Sequence, residues 1–284
     1  MFNPHKNTSC QGVKPNEDYA FSCEQFIFVA DGGTGLSDKN YTNCASDAQW
    51  FTQSLGVLLK ERLCDMSKTI GDVVSEIIGQ LNIEYKKFLC GEKCDILAMP
   101  SSGLSILRLN VGKIEFFQLG DCIAVLLTKD NEVKILRDNS LPNLDNSVIK
   151  NVANISREKN IPFSEAMKYS KNQLIYNRKK LNKPDGYWIL DLSGIGIAHA
   201  TENRFSVHDI KAAAVMSDGF VEIVELFKLY NYKTLMDKME NNSLDSLCDE
   251  LFKAQDSDPS MDKYPRFKHR DDTSVAWCAV QSDL

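Results

Sequence analysis

Long apolar runs, paired cysteines and the common nucleophile signatures are missing from this sequence, and each absence closes off a class of function. No apolar stretch approaches the ~20 residues that a membrane-crossing helix requires, so no membrane role is expected. Met1 to Ser9 is polar and lacks the apolar centre of a signal peptide. Nine cysteines are an odd number, and the closest pair, Cys90 and Cys94, is not a Cys-x-x-Cys. No Cys/His set completes a zinc site. Buried free thiols in a reducing cytoplasm are the expected state. A basic excess is also missing: the net charge of −6 argues against nucleic acid as the partner. There is no Gly-x-Ser-x-Gly elbow and no P-loop, so neither of those nucleophile signatures is present.

What the sequence does have is acid at the ends of apolar runs. Phe26-Ile27-Phe28-Val29-Ala30 reads as a buried strand, followed by Asp31 and the glycine-rich Gly32-Gly33-Thr34-Gly35. One such stretch is no more than a strand stopping at a turn. The design recurs, however, in Ala212 to Met216, followed by Ser217-Asp218-Gly219. Asp271-Asp272 opens the last apolar run, Thr273 to Val280, and Glu17-Asp18 opens the first. Gathered in one place, these carboxylates would repel one another unless a cation sat between them.

The rest of the chain supplies the frame. Asp18 to Ala30 reads as a hairpin broken near Ser22-Cys23-Glu24-Gln25. Ser46-x-x-Gln49 looks like a capping box opening a helix with Ala48, Phe51, Leu55, Leu58, Leu59 and Leu63 on one face. A second helix carries Ile70, Val73, Val74, Ile77, Ile78, Leu81, Tyr85 and Phe88. Four strand-like runs follow, 102–110, 113–119, 122–128 and 132–137, whose short connections predict an antiparallel meander. Strands are also expected over 187–192, 195–200, 205–207 and 212–216, and helices over 221–230, 232–240 and 244–255. No repeat or linker is visible. The reading is α+β: one domain over 1–284, antiparallel sheets with helices outside.

Between Lys150 and Pro184 nine Lys or Arg face two acids, in a segment with an apolar stripe at Ile161, Phe163, Met167 and Leu174. This reads either as a solvated helical face or as a basic flap, about 139–185, that steers an anionic substrate.

Carboxylates with a backbone carbonyl form a hard-oxygen site suited to Mg²⁺ or Mn²⁺. Two such ions ~4 Å apart can activate a bridging water and hold an oxyanion in line with it, which serves phosphate-ester hydrolysis.

Asn16-Glu17-Asp18, Val29-Ala30-Asp31-Gly32-Gly33, Gly120-Asp121, Ser217-Asp218-Gly219 and Asp271-Asp272-Thr273-Ser274-Val275 occur in an order and spacing that resembles the metal-dependent PPM (type 2C) Ser/Thr protein phosphatases. The similarity runs from about Gly12 to Val280. It implies two central antiparallel sheets flanked by helix pairs, a phosphoprotein substrate, a cognate Ser/Thr kinase as a further partner, and two Mn²⁺ or Mg²⁺ ions. By resemblance, Asp31 bridges both ions and Gly32 offers a carbonyl to one of them. Asp218 and Asp271 ligate the other. Asp18, with Glu17, ligates or holds water, and Asp272 supports the ligands from behind. Asp121 matches a structural position, followed by Cys122 in place of the usual Ser.

Three positions depart from the pattern. The family's phosphate-gripping Arg falls at Val13, leaving Lys14 as the nearby cation. Gly33 stands where some members have a proton-donating His. Ala98 occupies the place of a third-metal Asp, so a third ion lacks its carboxylate. A non-catalytic, metal-stabilised module that binds phosphoproteins or a kinase is the alternative reading.

Overall fold

The computed structural model describes residues 1–138 and 142–281. Strands β1 (Phe2–Cys10), β2 (Tyr19–Ser22) and β3 (Phe26–Gly33) lead into helices α1 (Asp47–Arg62) and α2 (Ile70–Phe88). Strands β4 (Ser101–Asn110), β5 (Lys113–Leu119), β6 (Ile123–Thr128) and β7 (Val133–Leu136) follow. The basic segment then forms α3 (Pro142–Lys159), α4 (Phe163–Ala166) and α5 (Lys171–Arg178). Short β8 (Leu190–Asp191) precedes β9 (Thr201–Ser206), β10 (Ile210–Met216), helices α6 (Asp218–Glu225), α7 (Tyr232–Asn241) and α8 (Leu244–Asp256), and finally β11 (Thr273–Val280).

These strands form two antiparallel sheets, β1-β11-β10-β6-β7 and β2-β3-β4-β5-β9, with β8 paired to β4. Alternation along each strand decides which face is buried against what. Phe26, Phe28 and Ala30 of β3 pack on α1 and α2 with Phe51, Leu55, Val74 and Ile77. Ile27 and Val29 face the other sheet, meeting Ala124, Leu126, Ala213, Val215 and Ala276. On the far side Trp277 and Val275 of β11 pack against α6 and α8 through Phe220, Leu247 and Leu251. Helices, sheet, sheet, helices is the order of layers.

Five expectations change. The polar N-terminus is strand β1, paired with β11 along its length, because its side chains are mostly exposed and only Phe2 needs the core. The predicted meander is broken: β4-β5 lie in one sheet and β6-β7 in the other, so Gly120-Asp121 is a crossover between sheets, made by Gly120 at φ +90°. The strand expected over 195–200 is a 3₁₀ turn, Ile195–His199, entered through left-handed Gly194. The run over 187–192 contributes only Leu190–Asp191 to a sheet. At the start of α1, Ser46 Oγ does accept from the Gln49 amide at 3.0 Å, but Gln49 Oε1 accepts from Ala45 instead of closing the box on Ser46.

The expected flap begins at 139, and residues 139–141 lie outside the described ones. From α3 onward it has a small core of its own, Val148, Val152, Phe163 and Ala166, with Met261 and the predicted stripe residues Ile161, Met167 and Leu174 around it.

Candidate metal centre

The alternation that sends Ile27 and Val29 between the sheets sends Asp31 the same way, at the end of the layer where the apolar core stops. Asp218 comes from the other sheet, as the first residue of α6 after β10. Its backbone N–H donates to Asp31 Oδ2 at 3.3 Å and so ties the two sheets together. Asp271 stands two residues before β11. Its Oδ1 accepts from the Asp272 amide at 2.8 Å and from Lys268 Nζ at 2.5 Å. Asp18, next to β2, is 2% exposed, and its Oδ2 has no hydrogen-bond partner among the described residues. The crossover at Gly120 delivers a fifth carboxylate. One oxygen each of Asp31 and Asp121 lies within 4.8 Å of the other and of Cys122 Sγ. Gly103 of β4 makes room for this, since a Cβ there would meet Asp121 Oδ1 at 2.3 Å.

The electrostatics follow from crowding. Loss of water and then the charge of Asp272 push Asp18 far above the usual carboxylate range. Asp31 is pushed the same way by burial and then by Asp18 and Asp218. Asp218 is raised by burial and by Asp271. Asp121 is pushed up to about 7, again by burial first and Asp218 second. Burial followed by Asp31 drives the Cys122 thiol well above its ordinary value, and every other side chain of the cluster is a carboxylate. The available donors are therefore oxygens. An unpartnered buried carboxylate oxygen among mutually repelling acids fits a hard divalent cation, Mn²⁺ or Mg²⁺, and does not fit zinc or copper.

A sequence model described as protein phosphatase 2C matches residues 11–256. The chain belongs to the protein phosphatase 2C family. Comparison with curated proteins gives no significant sequence match. Among solved structures, the fold is similar to the serine/threonine phosphatase PstP/Ppp of Mycobacterium tuberculosis, with TM-score 0.57 and 14% identity over 99% of this chain and 100% of that one. The catalytic domain of PstP in complex with two manganese ions superposes with TM-score 0.53 and 14% identity, covering 98% of each chain. The Stp1 phosphatase of Staphylococcus aureus gives TM-score 0.53 and 12% identity, covering 99% and 96%. At such identities the likeness is one of fold: the two-sheet sandwich is that of protein phosphatase 2C.

Other predicted residues of this protein phosphatase 2C chain take distinct places. Glu17 is buried, but its oxygens accept from Thr34 Oγ1 and Ser46 Oγ, each at 2.5 Å. The carboxylate is thus turned to the N-terminus of α1, where a negative charge suits the helix dipole. Gly32 pairs with Ser102 in the sheet, and a Cβ there would come 2.3 Å from the Glu17 carbonyl oxygen. Asp272 accepts from the backbone amides of Gly12 and Glu17, both at 2.9 Å, which fixes the segment carrying Asp18. Lys14 is exposed at the rim of a cavity of about 220 Å³ that also holds Lys268 and Asp271.

Sequence reasoning missed two contributors. Asp121 was read as a turn residue and, by resemblance, as a structural position, because nothing local says that its turn crosses between sheets. Lys268 lay in a polar stretch with no pattern. Burial opposes its ammonium, but Asp271, Asp218 and Asp31 together raise its pKa. Beside the cluster a larger cavity, about 380 Å³, is lined by Asp121, Asp218, Glu222, Asp145, Arg137 and Phe267. There Glu222 Oε2 accepts from Gln255 Nε2 at 2.9 Å, and burial pushes its carboxyl up to about 8.

Proposed function

We propose that this protein is a divalent-metal-dependent hydrolase of phosphoserine and phosphothreonine esters in proteins. The observation that carries the reading is the convergence of Asp18, Asp31, Asp121, Asp218 and Asp271 from both sheets, with Asp18 Oδ2 left without a partner among the described residues, in a protein phosphatase 2C chain.

Asp31, Gly32 through its carbonyl, Asp218 and Asp271 would hold two ions, with Asp18 and Asp121 beside them. When bound, two Mn²⁺ or Mg²⁺ ions supply Lewis-acid charge and an activated water as nucleophile. The chain's own groups position and orient. Asp272 clamps the Gly12 and Glu17 amides and so aims Asp18. Glu17 ties the same segment to α1 through Ser46. Lys14 offers a point charge at the rim to an arriving phosphate. The basic flap, an insert within a single domain, adds attraction for an anionic substrate at longer range.

The cysteines are free but, against expectation, only Cys122, Cys248 and Cys278 are buried; nine unpaired thiols suit a cytoplasmic setting, and a cognate Ser/Thr kinase would supply the substrate. Among the described residues no helix is long and apolar enough to cross a membrane.

The test is hydrolysis of a phosphothreonine peptide. Turnover is expected with added Mn²⁺ or Mg²⁺ and is expected to vanish with a chelator, while Zn²⁺ substitutes poorly. Full turnover in excess chelator would overturn the metal-dependent reading. Metal-dependent stabilisation with no turnover would favour a non-catalytic binding module.

A further inference from the structure

The last helix of the flap ends in a cation that no acid among the described residues pairs with. Arg178, the last residue of α5, is 8% exposed, and among the described residues no carboxylate lies within ion-pairing distance of it. Its two terminal nitrogens are taken by neutral groups. Nη1 donates to Ser101 Oγ at 2.9 Å and Nη2 to the Met99 carbonyl at 2.7 Å. The third edge is left over: Nε is buried and has no acceptor among the described residues. The preceding residue, Asn177, is also 8% exposed, and its Nδ2 is another buried donor without an acceptor.

Both residues line one cavity of about 200 Å³, whose other walls include Gly33, Thr34, Asp121 and Tyr187. The location matters. Gly33 is two residues past Asp31, and a Cβ on it would come 2.8 Å from Ser101 Oγ and 3.3 Å from Arg178 Nη1. Only a residue without a side chain lets the guanidinium sit so close to the strand that carries Asp31. Asp121 belongs both to this cavity and to the carboxylate cluster, so the cavity opens against the candidate metal centre.

We infer that Arg178 and Asn177 form a subsite for phosphoryl oxygens, gripping the substrate phosphate from the flap side. The inference rests on the hydrolase reading above for the identity of its ligand. Buried donors without partners are costly, and an acceptor-rich group entering the cavity relieves that cost. A phosphate offers several acceptor oxygens and the negative charge that a buried, unpaired guanidinium lacks. Asp121 and Asp145 line the same cavity and repel an anion. Phosphate should therefore enter only when divalent cations neutralise the carboxylate side. The grip is then made by a two-residue step on the flap, and exposed Lys14 has only the rim.

The experiment measures binding of inorganic phosphate by calorimetry to the Mn²⁺-loaded protein, alongside phosphopeptide kinetics, for Arg178→Gln, Arg178→Lys and Asn177→Ala. Arg178→Gln should weaken phosphate binding by roughly tenfold or more, the loss of one charge-assisted bond. KM for the phosphopeptide should rise by a similar factor, with a smaller change in kcat. Arg178→Lys should recover part of the binding, since it restores charge without the planar donor edge. Asn177→Ala leaves the Arg178 contacts to Met99 and Ser101 in place, so it decides the matter if Arg178→Gln loosens the flap and lowers the melting point. It should weaken phosphate binding several-fold with an unchanged melt. Unchanged phosphate affinity in Asn177→Ala and in a folded Arg178→Gln overturns the subsite while leaving the hydrolase reading intact. Phosphate binding that is Mn²⁺-dependent and lost in the variants, in a parent that hydrolyses no phosphopeptide, does the reverse.

Discussion

Lys268 Nζ donates to Asp271 Oδ1 at 2.5 Å, which puts an ammonium inside the carboxylate cluster and on one of the oxygens expected to hold a metal. In the metal-free protein this ammonium is a counter-charge that interacts with Asp271, Asp218 and Asp31. Lys268→Met should therefore lower the melting point measured with chelator, because repulsion among the acids loses this relief. The gain on adding Mn²⁺ should grow by comparison with the parent. Equal melts in chelator for parent and variant would show that Lys268 is only a surface neighbour.

Asp31→Asn tests the centre of the cluster. Metal binding to the native state stabilises a protein by roughly 2.7 kcal/mol at a hundredfold excess over Kd. The parent should show a gain of that order with Mn²⁺, and Asp31→Asn should lose most of it along with phosphopeptide hydrolysis. Without metal the variant should be as stable as the parent or more so, since one repelling charge is gone. Melting points that rise equally in both on adding Mn²⁺ would remove Asp31 from the site.

Glu222 gives a pH signature. Its carboxyl ionises near 8 in the fold, because of burial, and near 4.5 when unfolded. A raised pKa means that the native state holds the proton more tightly. The stabilisation is complete below about 4.5 and is lost as the pH rises through about 8. Glu222→Gln, which cannot ionise, should accordingly be more stable than the parent above pH 8 and similar to it near pH 4.5. Denaturant melts in chelator at the two pH values check this; a constant difference between parent and variant across the range contradicts it.

Arg108 is fully buried in β4 and donates to Glu115 Oε2 from Nε at 3.0 Å and from Nη2 at 2.7 Å. The same guanidinium reaches the Leu63, Asp65 and Lys68 carbonyls and so pins the α1–α2 connection to the sheet. Glu115→Gln leaves that charge buried without its acid and should destabilise the fold by about 3–5 kcal/mol. Arg108→Met with Glu115→Leu should recover much of the loss. Urea unfolding of the three variants measures it, and a single-variant loss below about 1 kcal/mol would show the pair to be weakly coupled.

How much of this could be read from residues alone depended on how local the signal was. The strand before Asp31 and the one before Asp218 were legible because five apolar residues in a row leave no other place than the core. The helix pair α1 and α2 was legible from its 3.6-residue stripes. Strand β1 was not, because its partner β11 lies some 270 residues away and supplies the pairing that its polar side chains do not advertise. The crossover at Gly120-Asp121 looks locally the same as a hairpin turn, so both the broken meander and the place of Asp121 in the cluster were hidden. Arg178 was visible only as one of nine positive charges, and its burial comes from long-range docking on the loop before β4.

The carboxylates are divided between layers, Asp31 in one sheet and Asp218 and Asp271 at the strand ends of the other, with Asp121 on the link between them. Neither sheet holds the cluster by itself. A refolding intermediate in which both sheets had formed but not yet docked would have normal helix and strand content and no assembled carboxylate cluster. Recovery of metal response during refolding thus reports the moment the two layers meet, and it should lag behind the return of secondary structure.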